Sequence, residues 1–310
     1  VAGLTALLVA VQLSGSAYLT NLLVVTALFA LPAVGLALLM GYTGQISLGH
    51  AAFVGLGAYA SSILVKSTGW SPWAGVAIGI GCAGLAAWAI GWLVFRLRGH
   101  HLAMATLAFG IIFHVAAVEL RPLTGGQDGI SGVPPLNLFG LRMATDAAIL
   151  PFAWIACIIG IVLARNLVHS PAGYAMRTVA ESEAVAASLG IAPDRIKRRV
   201  MALSGAYAGA GGALYAHYLG YISPGPFDIG FSIKLLLIVA LGGFSGTWSV
   251  LFGVLFVVLT SELLKPFGRY DVILFGTLLV IVMIWCPGGL LDGLARLWRR
   301  LARASRPVAG

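Results

Sequence analysis

Apolar residues run in long stretches along this chain, and polar residues gather in short blocks between them. A bilayer-spanning helix needs about 20 mostly apolar residues, fewer where it is short or broken. By that measure the pattern predicts spans near 3–14, 19–40, 47–66, 73–95, 102–120, 149–168, 200–220, 232–246, 249–264 and 270–287. The first is short. The 232–264 run reads either as one long tilted helix or as two short ones hinged at Gly242-Gly243-Phe244-Ser245-Gly246. The expected fold class is all-α: a polytopic transmembrane helix bundle of about 8–10 spans, one domain over 1–310.

Composition removes the soluble alternative. The chain is 60% hydrophobic and 9% charged, with a mean hydropathy of +0.98. Soluble domains carry about 25% charged residues, and this chain is too short to bury so many apolar runs in one core. The net charge of +9 does not point to nucleic acid, because the basic residues sit in short blocks between spans. Such blocks set topology and contact phospholipid. Arg96 and Arg98 form one block. Arg165, Arg177, Arg195, Lys197, Arg198 and Arg199 form a second. Arg296, Arg299, Arg300, Arg303 and Arg306 form the third. With ten spans all three fall on one side, which the positive-inside rule makes cytoplasmic, the C-terminal tail included. Parity then requires an odd number of crossings between the SPGPF loop at 223–227 and the tail. Three short spans satisfy this, and so does one long span with a re-entrant pair.

The longest segment on the opposite side, 121–148, is dense in turn residues and is the natural surface for an extracytoplasmic partner. Cys82, Cys157 and Cys286 each lie in an apolar run without metal-ligand spacing and are read as core- or lipid-facing. No charged region precedes the first apolar stretch, so a cleaved signal peptide is not expected. Val1 is either an alternative start or a truncation.

One stretch departs from the oil: SPAGYAMRTVAESEAVAASLGIAPDRIKRR, 170–199, within the loop 169–199. Ser170-Pro171 predicts a helix entry, with a capping hydroxyl and proline at the first turn. Gly190 predicts its stop. Met176, Ala180, Ala184, Ala187 and Ile191 recur at helical spacing as a stripe of mostly small residues, while Arg177 and Glu181 sit four apart and can pair. Small side chains let a helix approach another surface closely, and flanking charges fix orientation. The stripe therefore reads as a docking face for a cytoplasmic protein. Helices that rest on lipid bury bulkier residues.

Several segments, in order, carry a resemblance. Ser170, Gly173, Arg177, Glu183, Ala186, Gly190 and Ile191 resemble the coupling-loop motif of bacterial ATP-binding-cassette importer permeases. GYTGQISLGHAAFVGLGAYAS at 41–61, RLRGHHLAMATLAFG at 96–110, LTGGQDGISGVPP at 123–135 and ALSGAYAGAGGALYAHYLGYISPGPF at 202–227 resemble the branched-chain amino-acid permease family, in its LivM-like branch. The resemblance implies a bacterial inner-membrane subunit with the importer permease fold, paired with a LivH-like permease. It also implies two cytoplasmic ATPase subunits and a periplasmic binding protein that delivers branched-chain or other hydrophobic amino acids. Gly173, Arg177, Glu181, Glu183, Ala184, Ala187 and Gly190 are then the expected ATPase-coupling residues. Urea and short-amide importers share many of these motifs.

The chain has no G-x-x-x-x-G-K-[ST] phosphate loop. No cofactor is therefore expected on this chain, and ATP belongs to partner subunits. An ion-coupled carrier needs ionisable groups at mid-membrane. Here Glu119 and Arg121, which can pair, lie at helix ends, as do Lys234 and Glu262; the remaining options are His50, His100, His101, His114 and His217, and a lone histidine in a span is more often a hydrogen-bonded packing residue than a relay. An intramembrane enzyme lacks any H-E-x-x-H, G-x-S-x-G or paired mid-span aspartates, and a passive channel needs no docking helix. At 41–50 glycine and polar residues interrupt two apolar runs. Irregular backbone at membrane depth survives only when buried or lining a wet cavity. Two readings stand: Gln45, Ser47 and His50 face the translocation path, or the segment is a short cytoplasmic turn.

Overall fold

The computed structural model describes residues 16–95, 100–138, 141–243, 246, 248–264 and a few positions between 273 and 281. The spans expected at 3–14 and 270–287, the arginines at 96, 98 and 296–306, and Cys286 lie outside the described residues or at their margin.

The central element is α1, Ala17–Thr43, apolar on every face. A helix without a polar side belongs in the middle of a bundle, and α1 is packed on all sides by α6 (Asp146–Val168), α9 (Pro193–Leu219), α10 (Ile229–Gly242) and α11 (Ser249–Leu264). Pro32 interrupts its hydrogen-bond ladder. Gly211 of α9 packs there, where a Cβ would stand 2.5 Å from Pro32 Cδ and 2.9 Å from the Leu28 carbonyl oxygen.

A second layer comes from α2 (His50–Thr68) and α3 (Pro72–Val94) against α9. Glycines make this crossing possible. A Cβ on Gly79 would lie 2.5 Å from the Gly57 carbonyl, and one on Gly209 would lie 2.5 Å from Ala83 Cβ and 2.8 Å from the Gly79 carbonyl. The GxxxG pairs Gly75/Gly79 and Gly205/Gly209 are thus sites of close backbone approach. α4 (His100–Glu119) packs at the edge, and it, α3 and α6 turn Trp88, Met104, Ile112 and Ile159 outward as the surface offered to lipid or another subunit. Cys82 is exposed on α3 and Cys157 is buried on α6, as expected.

Both ends of the bundle are recognisable. At one end 121–148 folds into a cap. It holds the short α5 (Arg121–Thr124), then β1 (Ile130–Ser131), and a hairpin of β2 (Asn137–Leu138) and β3 (Leu141–Arg142). β1 pairs antiparallel with β4 (Tyr221–Ile222), register Ile130 to Ile222. Gly125, Gly126, Gly129 and Gly132 all have φ between 62° and 76°, which is why the segment repeats glycine. Lys66 Nζ donates to the Ser131 carbonyl at 3.0 Å and Trp73 Nε1 to the Asn137 carbonyl at 2.6 Å. His217 joins Ser61 Oγ at 2.8 Å and the Pro134 carbonyl at 2.7 Å, the packing role expected of it. The Glu119–Arg121 pair does not form an ion pair.

The 232–264 run resolves into two helices, α10 and α11. Gly242 packs on Val250 and Gly253 on Ile238, so the two fold back as an antiparallel hairpin rather than one long helix. At 14 residues, α10 is about 21 Å long, short of a hydrocarbon core of about 30 Å.

Candidate functional site

The end opposite the cap carries the loop 169–199 and the described basic residues Arg165, Arg177, Arg195, Lys197, Arg198 and Arg199. The loop is two helices, not one. α7 spans Pro171–Glu181 and α8 spans Glu183–Ser188. Ser182 is extended (φ −160°, ψ 118°), and its hydroxyl accepts from the Val185 amide at 3.4 Å. A serine that caps a following helix competes with continuing the preceding one. The single stripe expected from Met176 to Ile191 is therefore broken, and Met176 points into the bundle, 2% exposed.

The buried line of the loop is Gly173, Met176, Val179 and Ala186. Gly173 packs on the Val168 carbonyl, leaving no room for a Cβ. Ser170 does not cap α7; its hydroxyl donates back to the Leu167 carbonyl at 2.6 Å. Arg177 makes no ion pair with Glu181. Its guanidinium lies 5.6 Å from the Tyr42 ring centre and 5.8 Å from that of Tyr174. Glu183 points back to Lys197 of α9, Oε1 to Nζ 2.7 Å, and that ammonium is 3% exposed, 3.9 Å from Asp194 and 5.7 Å from the Phe95 ring centre. Gly190 ends α8 at φ 79°, a left-handed stop. The residues facing outward include Tyr174, Arg177, Ala180, Glu181, Ala184, Val185, Ala187, Leu189 and Gly190.

The interruption at 44–49 is real. After Gly44, at φ 67°, the chain runs without regular structure until α2 begins at His50. Gly44 faces Ala180 of α7, so the interruption and the loop meet. Gln45 is half-buried and donates to the Thr43 carbonyl at 2.9 Å. Ser47 and His50 are 1% and 0% exposed. They lie among α4, α9 and α10: Leu48 N donates to Thr106 Oγ1 at 3.1 Å, Ala51 N to Ser232 Oγ at 3.0 Å, and His50 Nε2 is 3.4 Å from Ser204 Oγ. Ser47 Oγ and His50 Nδ1 have no partner among the described residues.

One feature was not legible beforehand. A cavity of about 430 Å³ opens between α1, α9, α10 and α11, with Lys234 and Glu262 on its wall. Each is the one ionisable residue of its short apolar helix, which was the available signal. The turn of the α10–α11 hairpin lies at the other end, where Gly246 and Trp248 line a cleft of about 300 Å³ with Tyr42, Arg165, His169 and Arg177.

Four of the described helices, α1, α3, α4 and α6, are long and apolar enough to cross a bilayer, and the glycine-locked α2 and α9 run beside them. This is a multi-pass membrane protein. Residues 18–284 match the family described as branched-chain amino acid transport system / permease component, and the chain belongs to that family. It is 32% identical over 289 residues to the LivM permease protein of the high-affinity branched-chain amino acid transport system of Escherichia coli K12, covering 86% of this chain and 68% of that protein. The LivM protein of Salmonella typhimurium is 31% identical over the same shares. The LivH permease protein of E. coli K12 is 24% identical over 286 residues, 85% of this chain and 91% of that one. No solved structure gives a significant match. The chain is a LivM-like permease subunit, a transport component and not an enzyme.

Proposed function

We propose that this chain is one half of the pore of an ATP-binding-cassette importer in the bacterial inner membrane, carrying branched-chain or other hydrophobic amino acids. The other half is a LivH-like permease, two cytoplasmic ATPases supply the energy, and a periplasmic binding protein delivers the cargo at the cap end. The observation that carries this reading, beside the family, is the loop at the basic end. Ala180, Ala184 and Ala187 stand outward with Arg177 and Glu181 around them, while Gly173 and Glu183 are turned inward and hold the loop in place. An outward face of small side chains flanked by charge fits a groove on another protein.

The basic residues support a cytoplasmic side for this end, and in this account the arginine-rich tail lies on that side too. Movement imposed on α7 reaches α1 through Arg177 and Tyr42, and reaches the 44–49 interruption through Ala180 and Gly44. Gln45, Ser47 and His50 belong to the translocation path in this account. Buried polar atoms without partners, Ser47 Oγ and His50 Nδ1, support that role, because such atoms are costly in a sealed core. Purification of the native complex tests the proposal. Two ATPases, a second permease and ATP-stimulated uptake of leucine are expected. A complex that imports urea and not leucine overturns the cargo, and one without an ATPase overturns the coupling.

A further inference from the structure

The cleft of about 300 Å³ at the basic end gathers positive charge without a counter-ion. Arg165 enters it from the last turn of α6 and Arg177 from the middle of α7. One arginine at a helix C-terminus is ordinary, because it offsets the helix dipole. Two from different helices on one cleft call for an anion. Among the described residues no carboxylate lines the cleft, and neither guanidinium has an ion pair. Arg165 lends only its backbone carbonyl, which accepts from His169 Nδ1 at 2.7 Å and leaves Nε2 of that ring unspent. Arg177 rests on the rings of Tyr42 and Tyr174. A guanidinium can stack on aromatic faces while the N–H fork in its own plane stays open, and that fork matches phosphate.

The surface beside the cleft says what carries the phosphate. Val162 lies one turn before Arg165 in α6, and Phe252 lies one turn after Trp248 in α11; they are 40% and 59% exposed. Both lead from the cleft toward membrane depth, since α6 runs to this end and α11 runs away from it. Tyr42 and Trp248 stand on the cleft wall between, the residue types that gather where bilayer meets water. We propose that this cleft binds the phosphate of an anionic phospholipid, held by Arg165 and Arg177, with the acyl chains along Val162 and Phe252. Basic pockets between spanning helices bind such head groups. A soluble phosphate satisfies the same arginines but makes no use of the exposed apolar positions. The volume is at the lower end of the roughly 300–1,000 Å³ of small-molecule sites, room for a head group whose chains stay in the bilayer. The lipid joins α6 to α7, which no ion pair among the described residues does, and so holds the loop against the bundle.

The test uses the complex as purified from membranes, delipidated in detergent, with dioleoyl phosphatidylglycerol as the probe and native mass spectrometry as the readout. Phosphatidylglycerol should bind more tightly than phosphatidylcholine, whose choline cancels the phosphate charge. Arg165→Gln and Arg177→Gln should each weaken it by about tenfold or more, the worth of a charge-assisted hydrogen bond. Arg199→Gln removes an exposed charge at the same end but outside the cleft, and should bind as wild type does. In the wild-type complex, hydrogen exchange of the 171–181 amides should slow on adding phosphatidylglycerol and not on adding glycerol 3-phosphate. That measurement decides the matter if the cleft variants fail to assemble. Wild-type affinity in both cleft variants overturns the site, as does exchange that the lipid leaves unchanged. An equal loss in Arg199→Gln overturns it too, because the attraction is then spread over the surface. Exchange slowed as much by glycerol 3-phosphate overturns the lipid as the source of the phosphate.

Discussion

Replacing Glu183 by alanine removes the carboxylate that meets the Lys197 ammonium at 2.7 Å. Lys197 is 3% exposed. Deleting one partner of a fully buried pair costs about 3–5 kcal/mol. Here Glu183 is 40% exposed and Asp194 remains at 3.9 Å, so part of the interaction is screened and part is replaced. A cost of about 1–2 kcal/mol is the appropriate scale. That is a factor of about 5–30 in the population of the ordered loop. α8 has six residues and no stability of its own, so it detaches rather than the bundle unfolding. Glu183→Ala should speed hydrogen exchange of the 183–188 amides and lower the uptake obtained per ATP hydrolysed. Glu183→Ala with Lys197→Met removes the stranded charge and should recover most of both. The reasoning is refuted if the single variant matches wild type, or if the double variant is no better than the single.

Two further expectations follow from the same geometry. Gly209→Val places side-chain atoms against Ala83 and the Gly79 carbonyl; overpacking of this kind costs at least about 1–3 kcal/mol, and membrane-inserted protein, measured by fluorescence-detected size exclusion, should fall sharply. Ala184→Trp and Ala187→Trp change only outward positions, so protein level should hold while ATPase co-purification or the coupling of hydrolysis to uptake, measured in proteoliposomes, is lost.

The spans were legible because a bilayer imposes length and apolarity directly on the chain. The runs read at 19–40, 73–95 and 149–168 became Ala17–Thr43, Pro72–Val94 and Asp146–Val168. The start of α9 was placed seven residues late because the basic foot, 194–199, is helical but not apolar. The break at Ser182 had a local signal, a serine followed by glutamate and alanines, outweighed by the helical spacing on either side. The inward turn of Glu183 had none, and the cavity shared by Lys234 and Glu262 was signalled only by the lone charge in each short apolar helix. Each depends on residues far apart in sequence being brought together by packing, and no periodicity encodes that. The cap's strands are two residues long, too short to show an alternation.

We propose that this subunit carries no motor and is driven through the 169–199 loop. Vesicles containing the chain with its permease partner alone, and vesicles containing the complete complex with ATP inside and loaded binding protein outside, test it most directly when leucine accumulation is followed with time. The complete complex should accumulate leucine above the external concentration and the permeases alone should not. Uphill accumulation by the permeases without an ATPase would contradict the account.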